Sequence, residues 1–319
     1  MRLMKTPQAI LATLPIMATL AICATTRAAE PAACATVRMA DPGWTDITST
    51  NGVAGTLLKA LGYKQNVSTL SVPIVFQALS SGQLDVFLGN WMPAQTNFIG
   101  PLLKDNKLVV VRPNLQHAKF TLAVPDYVAE AGVHSVADLA EHADKFGKRI
   151  YGIEAGAPAN QNIQRMLTAG DDGLKGWKLI ESSEQGMLGE VERAQRSKQW
   201  IAFLAWEPHP MNDRFHITYL GGAEQYFGPD FGSTTINTLA RNGYAAQCPN
   251  ADRLFRQLSF TVPMENALMV SIASQRMDGP AAARSWLKAN PGQLDAWLDG
   301  VTTFDGKDGP AAVRTALGL

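Results

Sequence analysis

The chain reads as an α/β protein of two lobes with a ligand cleft between them, and three observations predict this. First, short apolar runs bounded by Gly or Pro mark buried strands of parallel sheets. The run at 86–88 ends in Gly89-Asn90 and then Trp91. The same grammar brings 37–40 through Asp41-Pro42-Gly43 to Trp44, and 201–205 to Trp206 ahead of Glu207-Pro208. Each tryptophan would stand just past a strand's carboxyl end, where open α/β sheets hold ligands. Second, strand-like and helix-like segments alternate at the pace of βαβ units. Third, the alternation starts afresh beyond Pro125, and a helical pattern fills the chain from Asp252 onward. A first lobe over 30–118, a second over 119–220 and a return to the first over 221–319 follow, the last part mostly helical. A cleft between lobes is where a ligand is expected.

Taken in order, Ile47, Ala54, Leu57, Leu58 and Leu61 share one helical face, with Thr45 or Asp46 to cap its start and Gly62 to end it. A strand is expected over 67–72, a helix over 74–79, and strands over 108–111 and 120–124 separated by the polar stretch 114–119. The second set holds a helix near 135–143, a strand over 149–153, a loop from Glu154 to Pro158 and a helix over 159–167. A strand over 178–181, a helix over 183–196 and strands over 201–205 and 217–220 complete it. Helices are expected over 254–260, 265–276, 281–288 and 294–298.

The bulk composition narrows the function. A hydrophobic content of 46% with 18% charged residues describes a globular chain, and a formal net charge of zero gives no support for a nucleic-acid partner. Arg2 and Lys5 precede an apolar stretch over 9–24, and small residues follow at Thr26, Ala28 and Ala29. That pattern is a secretory leader, residues 1–29, cleaved near 28–30. The stretch is too short for a spanning helix, and Pro15 interrupts it. Cys23 offers only a faint lipoprotein site, because bulky Ile22 precedes it. Loss of Arg2, Lys5 and Arg27 leaves 25 cations against 28 anions. The mature protein is thus expected to be soluble, mildly acidic, periplasmic and monomeric. Its two remaining cysteines, Cys34 and Cys248, would form a disulfide in that oxidising compartment, or else remain two unrelated thiols.

Three tryptophans at one sheet edge call for an explanation. A tryptophan face carries negative quadrupole potential, so several faces around one pocket suit a cation that hydrogen bonds cannot serve, above all a quaternary ammonium. Each desolvated contact contributes up to about 2 kcal/mol, against roughly 8 kcal/mol for micromolar affinity. Asp46 adds an acceptor-only carboxylate that could complement the charge or accept a ligand hydroxyl. It could equally be a plain helix cap. Trp177, Trp200, Trp286 and Trp297 sit in helical or pre-strand contexts and are read as core packing.

At these residues the sequence resembles a known family. The stretches 41–46, 88–93, 181–187 and 206–212 are similar to the choline-binding proteins of bacterial ABC importers, in the glycine betaine/choline group of periplasmic binding proteins. The resemblance runs over essentially the whole mature chain. It implies a type II binding-protein fold that closes over its ligand and docks on a membrane permease. It also implies an aromatic box in which Trp44, Trp91 and Trp206 match the tryptophans and Asp46 matches the acidic residue that meets the choline hydroxyl. The family's cysteine pair matches Cys34 and Cys248. Two positions depart: Phe120 stands where the box tyrosine is expected, and Ala157 where an asparagine is expected. Trp44, Asp46 and Trp91 would then belong to the first lobe, and Phe120, Ala157 and Trp206 to the second. Choline, with a hydroxyl for Asp46 and no anion to repel it, ranks first. Carnitine follows, because its carboxylate could use the room at Ala157 and the amides of Gly156 and Ala157. Glycine betaine comes third, since it lacks a hydroxyl and brings its carboxylate toward Asp46.

Other classes are weaker. His117, His134, His142, His209 and His216 show no metal-ligand spacing, and no cofactor or metal is expected. There is no Gly-x-Ser-x-Gly elbow and no phosphate-cradling glycine loop, so an enzyme is not expected. A sensor that presents the same fold to a membrane receptor is not separable from an importer by sequence.

Overall fold

The computed structural model describes residues 29–319 together with Met1. The rest of the expected leader, with Arg2, Lys5 and Cys23, lies outside the described residues. β1 (Thr36–Asp41), α1 (Thr45–Ala60), β2 (Lys64–Thr69), α2 (Val72–Ser80) and β3 (Val86–Met92) open the fold. β2 starts and ends three residues earlier than the sequence suggests, because Pro73 sits in the first turn of α2 and draws Val72 into the helix. β1 and β2 pair in parallel. β3 runs alongside β1, joined to it where the Arg38 amide donates to Asp85 Oδ2 at 2.9 Å and the Asp85 amide to the Arg38 carbonyl at 2.8 Å. The guanidinium groups of Arg38 and Arg241 also reach Asp85 Oδ1, at 2.7 and 2.8 Å. These bonds hold the Asp85 carboxyl below its ordinary range although burial works the other way.

After α3 (Thr96–Lys104) comes one strand of 18 residues, β4 (Leu108–Pro125), where two separate strands were expected. The polar stretch 114–119 stays in the sheet because Asn114 is buried and its amide donates to the Leu88 carbonyl at 2.8 Å and to Thr238 Oγ1 at 3.0 Å. α4 (Val136–Glu141), β5 (Arg149–Tyr151), α5 (Pro158–Ala169), β6 (Lys178–Ile180), α6 (Glu184–Ser197), β7 (Ala202–Glu207) and β8 (Ile217–Tyr219) follow. Ser135 and Asp138 form the capping box of α4, and the Ser183 side chain caps α6.

β9 (Thr234–Arg241) was not anticipated, yet it lies between β3 and β4 in a seven-stranded sheet ordered β3-β9-β4-β7-β5-β6, with β8 against β4. This sheet is mixed rather than parallel. β5 pairs in parallel with β6 and β7, whereas β9 runs antiparallel to β3 and β4, and β4 antiparallel to β7 and β8. β4 changes partner along its length, pairing with β9 over Leu108–Ala118 and with β7 over Lys119–Ala123.

The carboxyl-terminal third holds α7 (Pro249–Gln257), α8 (Val262–Gln275), α9 (Gly279–Ala289), α10 (Gln293–Trp297) and the unanticipated α11 (Gly309–Leu317). α9 approaches α1 backbone to backbone. A Cβ on Gly52 would lie 2.4 Å from the Gly279 carbonyl, so only a glycine pair permits this crossing. Trp297 and Trp177 are buried, and Trp200 and Trp286 are partly buried against the core. Cys34 and Cys248 form a disulfide with a Cα separation of 5.6 Å.

Candidate functional site

The six side chains picked out in the sequence meet in one cavity. Trp44, Asp46, Trp91, Phe120, Ala157 and Trp206 line it together with Ala94, Gln95, Ile153, Pro158 and Ala159.

Local chemistry fixes each wall. Where β1 ends, Asp41 Oδ1 accepts the amides of Gly43 and Trp44 at 2.7 and 3.2 Å, which turns the chain into α1 with Trp44 at its cap position. Neither Thr45 nor Asp46 caps this helix, as the sequence had suggested. The free Thr45 amide is taken at 3.1 Å by Glu184 Oε2, from the first turn of α6. Trp91 stands at the end of β3. Beyond it Gln95 turns back, donating to the Gly89 carbonyl at 3.0 Å and accepting from Asn90 Nδ2 at 3.0 Å. Phe120 and Trp206 are direct partners across the β4–β7 ladder. The Phe120 ring also tilts onto Trp91, with centroids 5.5 Å apart. Ala157 closes the loop before α5, where Asn160 is buried. Its Oδ1 accepts the Ile153 amide, and its Nδ2 donates to the carbonyls of Ile153 and Glu154, each at 3.0 Å.

The wall is apolar, and its charge is gathered in a few carboxyl groups. Trp91 Nε1 donates to Asp46 Oδ2 at 3.2 Å, while Asp46 Oδ1 is buried with no hydrogen-bond partner in the protein. Burial first, then the charges of Glu184 and Asp41, push the Asp46 carboxyl up to about 8. Trp44 Nε1 donates to both oxygens of Glu154, at 3.0 and 3.1 Å. Burial raises the Glu154 carboxyl as well. Glu184, almost fully buried, accepts from Thr45 Oγ1 and from Gln185 Nε2 at 2.9 Å, and lies 3.4 Å from His209 Nε2. Because His209 Nδ1 accepts the Met211 amide at 2.9 Å, the ring's hydrogen faces Glu184. That ring meets Trp206 edge to face at 5.1 Å.

Glu154, Glu184 and Gln95 were missed in the sequence. Glu184 lies within one of the resembling stretches, but its position at a helix start reads as a first-turn acid. Glu154 reads as an ordinary loop residue. Among the described residues no group of His, Cys, Asp and Glu has the arrangement of a metal site. The cavity therefore brings four aromatic side chains together with one unpaired carboxylate oxygen.

A family model described as the substrate binding domain of an ABC-type glycine betaine transport system matches residues 35–289. The chain belongs to this family. The binding protein is similar, at 48% identity and a TM-score of 0.89, to the solved structure of an ABC-transporter choline binding protein in complex with choline; the match covers 91% of this chain and 100% of the other. The unliganded semi-closed form of an ABC-transporter choline binding protein superposes with a TM-score of 0.83, again at 48% identity, over 90% of this chain and 100% of that one. Lactococcal OpuAC, closed and complexed with glycine betaine, is 27% identical with a TM-score of 0.75, over 82% of this chain and 98% of its own. A glycine betaine/carnitine transport binding protein of Listeria monocytogenes is 29% identical over 162 residues, which spans 50% of this chain and 52% of the relative. The binding protein thus has the type II architecture, two α/β lobes with a ligand cleft between them, and is the substrate-binding component of an ABC transport system.

Proposed function

We propose that the binding protein captures a quaternary ammonium cation, choline above carnitine and glycine betaine, in an aromatic box of Trp44, Trp91, Trp206 and Phe120. The observation that carries this reading is Asp46 Oδ1, a buried acceptor with no partner in a cavity otherwise lined by four aromatic rings, Gln95 and apolar side chains. A trimethylammonium group satisfies the faces, and a hydroxyl beside it supplies the missing donor. A ligand carboxylate has less to meet. Phe120 carries no hydroxyl, and the Ala157 amide is already spent on the Glu154 carbonyl at 3.1 Å. That removes one of the amides that would have favoured carnitine.

The reading includes lobes divided at 118/119 and 220/221, supported at the first boundary by the change of partner along β4. Residues 221–233 form the second crossing, still touching the second lobe where the Gly221 amide donates to the His134 carbonyl at 3.1 Å and the Tyr226 hydroxyl reaches Asp171. Trp44, Asp46 and Trp91 then face Phe120, Ala157 and Trp206 across the cleft. Contacts to both sides favour the closed state, because only there does one cation touch every ring. The protein works in the periplasm as a monomer, its leader removed near residues 28–30, and presents closed complex to a membrane permease. It needs no cofactor, performs no catalysis and binds no nucleic acid.

Isothermal titration of refolded, ligand-free mature protein tests the choice of ligand. Choline is expected to bind most tightly, with carnitine and glycine betaine weaker. A preference for either carboxylated ligand overturns the ranking, and failure of all three overturns the aromatic box.

A further inference from the structure

We infer that Glu154 is a specificity-determining residue that acts through Trp44, a carboxylate behind the indole that strengthens the ring's hold on a cation without touching it. The inference rests on the proposed box and deepens it. Glu154 does not line the cavity, whereas Trp44 and its loop neighbour Ile153 do. Both Glu154 oxygens take the single Trp44 N–H, at 3.0 and 3.1 Å, so the carboxylate sits at the N–H edge of a ring that lines the cavity. The backbone on which it stands is fixed, because the Glu154 carbonyl accepts from Asn160 Nδ2 at 3.0 Å and from the Ala157 amide at 3.1 Å. Two consequences follow from elementary electrostatics. An indole whose N–H donates to an anion is polarised toward its ring, which deepens the negative potential over its faces. The anion's own field adds to this across a site of low dielectric.

The second tryptophan repeats the device. Trp91 donates its N–H to Asp46 at 3.2 Å, but Asp46 also lines the cavity and can touch the ligand directly. Glu154 is the cleaner case, since its charge can reach a ligand only through or around the Trp44 ring. The device would serve discrimination. Apolar walls alone accept a tert-butyl group as readily as a trimethylammonium group, the two being nearly identical in shape. Negative charge behind the walls favours only the cation.

The test compares choline with its uncharged carbon counterpart, 3,3-dimethyl-1-butanol, by titration calorimetry on wild type, Glu154→Gln and Glu154→Asp. Gln keeps an acceptor for the indole and removes the charge; Asp keeps the charge on a shorter arm. Glu154→Gln is expected to weaken choline about five- to tenfold while leaving the neutral alcohol unchanged, so that the ratio of affinities falls by that factor. Glu154→Asp is expected to keep most of the ratio. Equal weakening of both ligands by Glu154→Gln would make the bond to Trp44 a structural brace and overturn the inference, as would an unchanged choline affinity. If Glu154→Gln does not fold, the Asp variant decides alone: a ratio near wild type supports the inference and a collapsed ratio overturns it. Failure of the wild type to bind choline at all is a different result, because it removes the box itself.

Discussion

Asp46 carries two opposed demands. As the proposed ligand acceptor it must sit in the cavity with an oxygen unpaired, and as part of a folded protein it must survive there with little compensation. Its carboxyl, ordinarily near 3.8, is pushed up to about 8. The folded state therefore holds this proton more tightly than the unfolded chain does. Asp46's contribution to stability is greatest at low pH, declines as pH climbs from about 3.8, and levels off above about 8. A bound cation reverses the preference by favouring the carboxylate. Choline affinity should then rise with pH, approaching about tenfold per unit below the raised value and flattening above it. Binding near neutrality should release a proton, visible as a calorimetric enthalpy that depends on the buffer. Asp46→Asn should melt at a higher temperature than wild type at pH near 8 while binding choline more weakly. An affinity independent of pH would show that Asp46 is not ionised by its ligand.

At the scale of elements, the proposed box depends on how β4 is held. Phe120 lies under the segment that leads into β9, where Gly232 has a φ of +72° and a Cβ built on it would lie 2.0 Å from the Phe120 carbonyl oxygen. Gly232→Ala must therefore either unwind that turn or push β4 aside, with a loss of about 1–3 kcal/mol from backbone strain alone. Displacing Phe120 should also weaken choline binding. Thermal melts and titrations that match wild type would mean that the strand yields there without moving the ring. How much of this was legible in sequence differs between elements for a physical reason. The three strands that lead to tryptophans announce themselves through short apolar runs, and those tryptophans meet in one cavity. β9 reads Thr-Thr-Ile-Asn-Thr-Leu-Ala-Arg and gives no such run. Its polar side chains are instead paid for by partners from other strands, Asn237 donating to Asn90 at 3.1 Å and Thr238 accepting from Asn114 at 3.0 Å. The same partnership explains why β4 looked like two strands. Glu154 and Glu184 were invisible as site residues because their meaning lies in what they bond to, Trp44 and Thr45, more than a hundred residues away.

At the scale of the molecule, the segment around Cys34 is sewn to later parts of the chain by residues that do not line the cavity. The Cys34–Cys248 disulfide spans 214 residues of sequence. Beside it Glu30 accepts from the Tyr63 hydroxyl at 2.6 Å and from the amides of Asn250 and Ala251, while Asn250 exchanges two 2.7 Å bonds with the backbone of Thr302. A loop of this length carries a chain-entropy stabilisation of about 5 kcal/mol, an upper figure because engineered comparisons usually return less. The polar network sets a second limit, since Glu30 and Asn250 continue to hold the same pieces together once the sulfur bridge is gone. The double variant Cys34→Ser with Cys248→Ser should therefore fold, melt well below wild type, and bind choline with unchanged affinity, because neither cysteine lines the cavity. Reduction of the wild type should reproduce the lowered melting temperature. A fall in affinity alongside the fall in stability would carry a different meaning. It would show that this junction also sets the position of α1, the helix that brings Trp44 and Asp46 to the cavity.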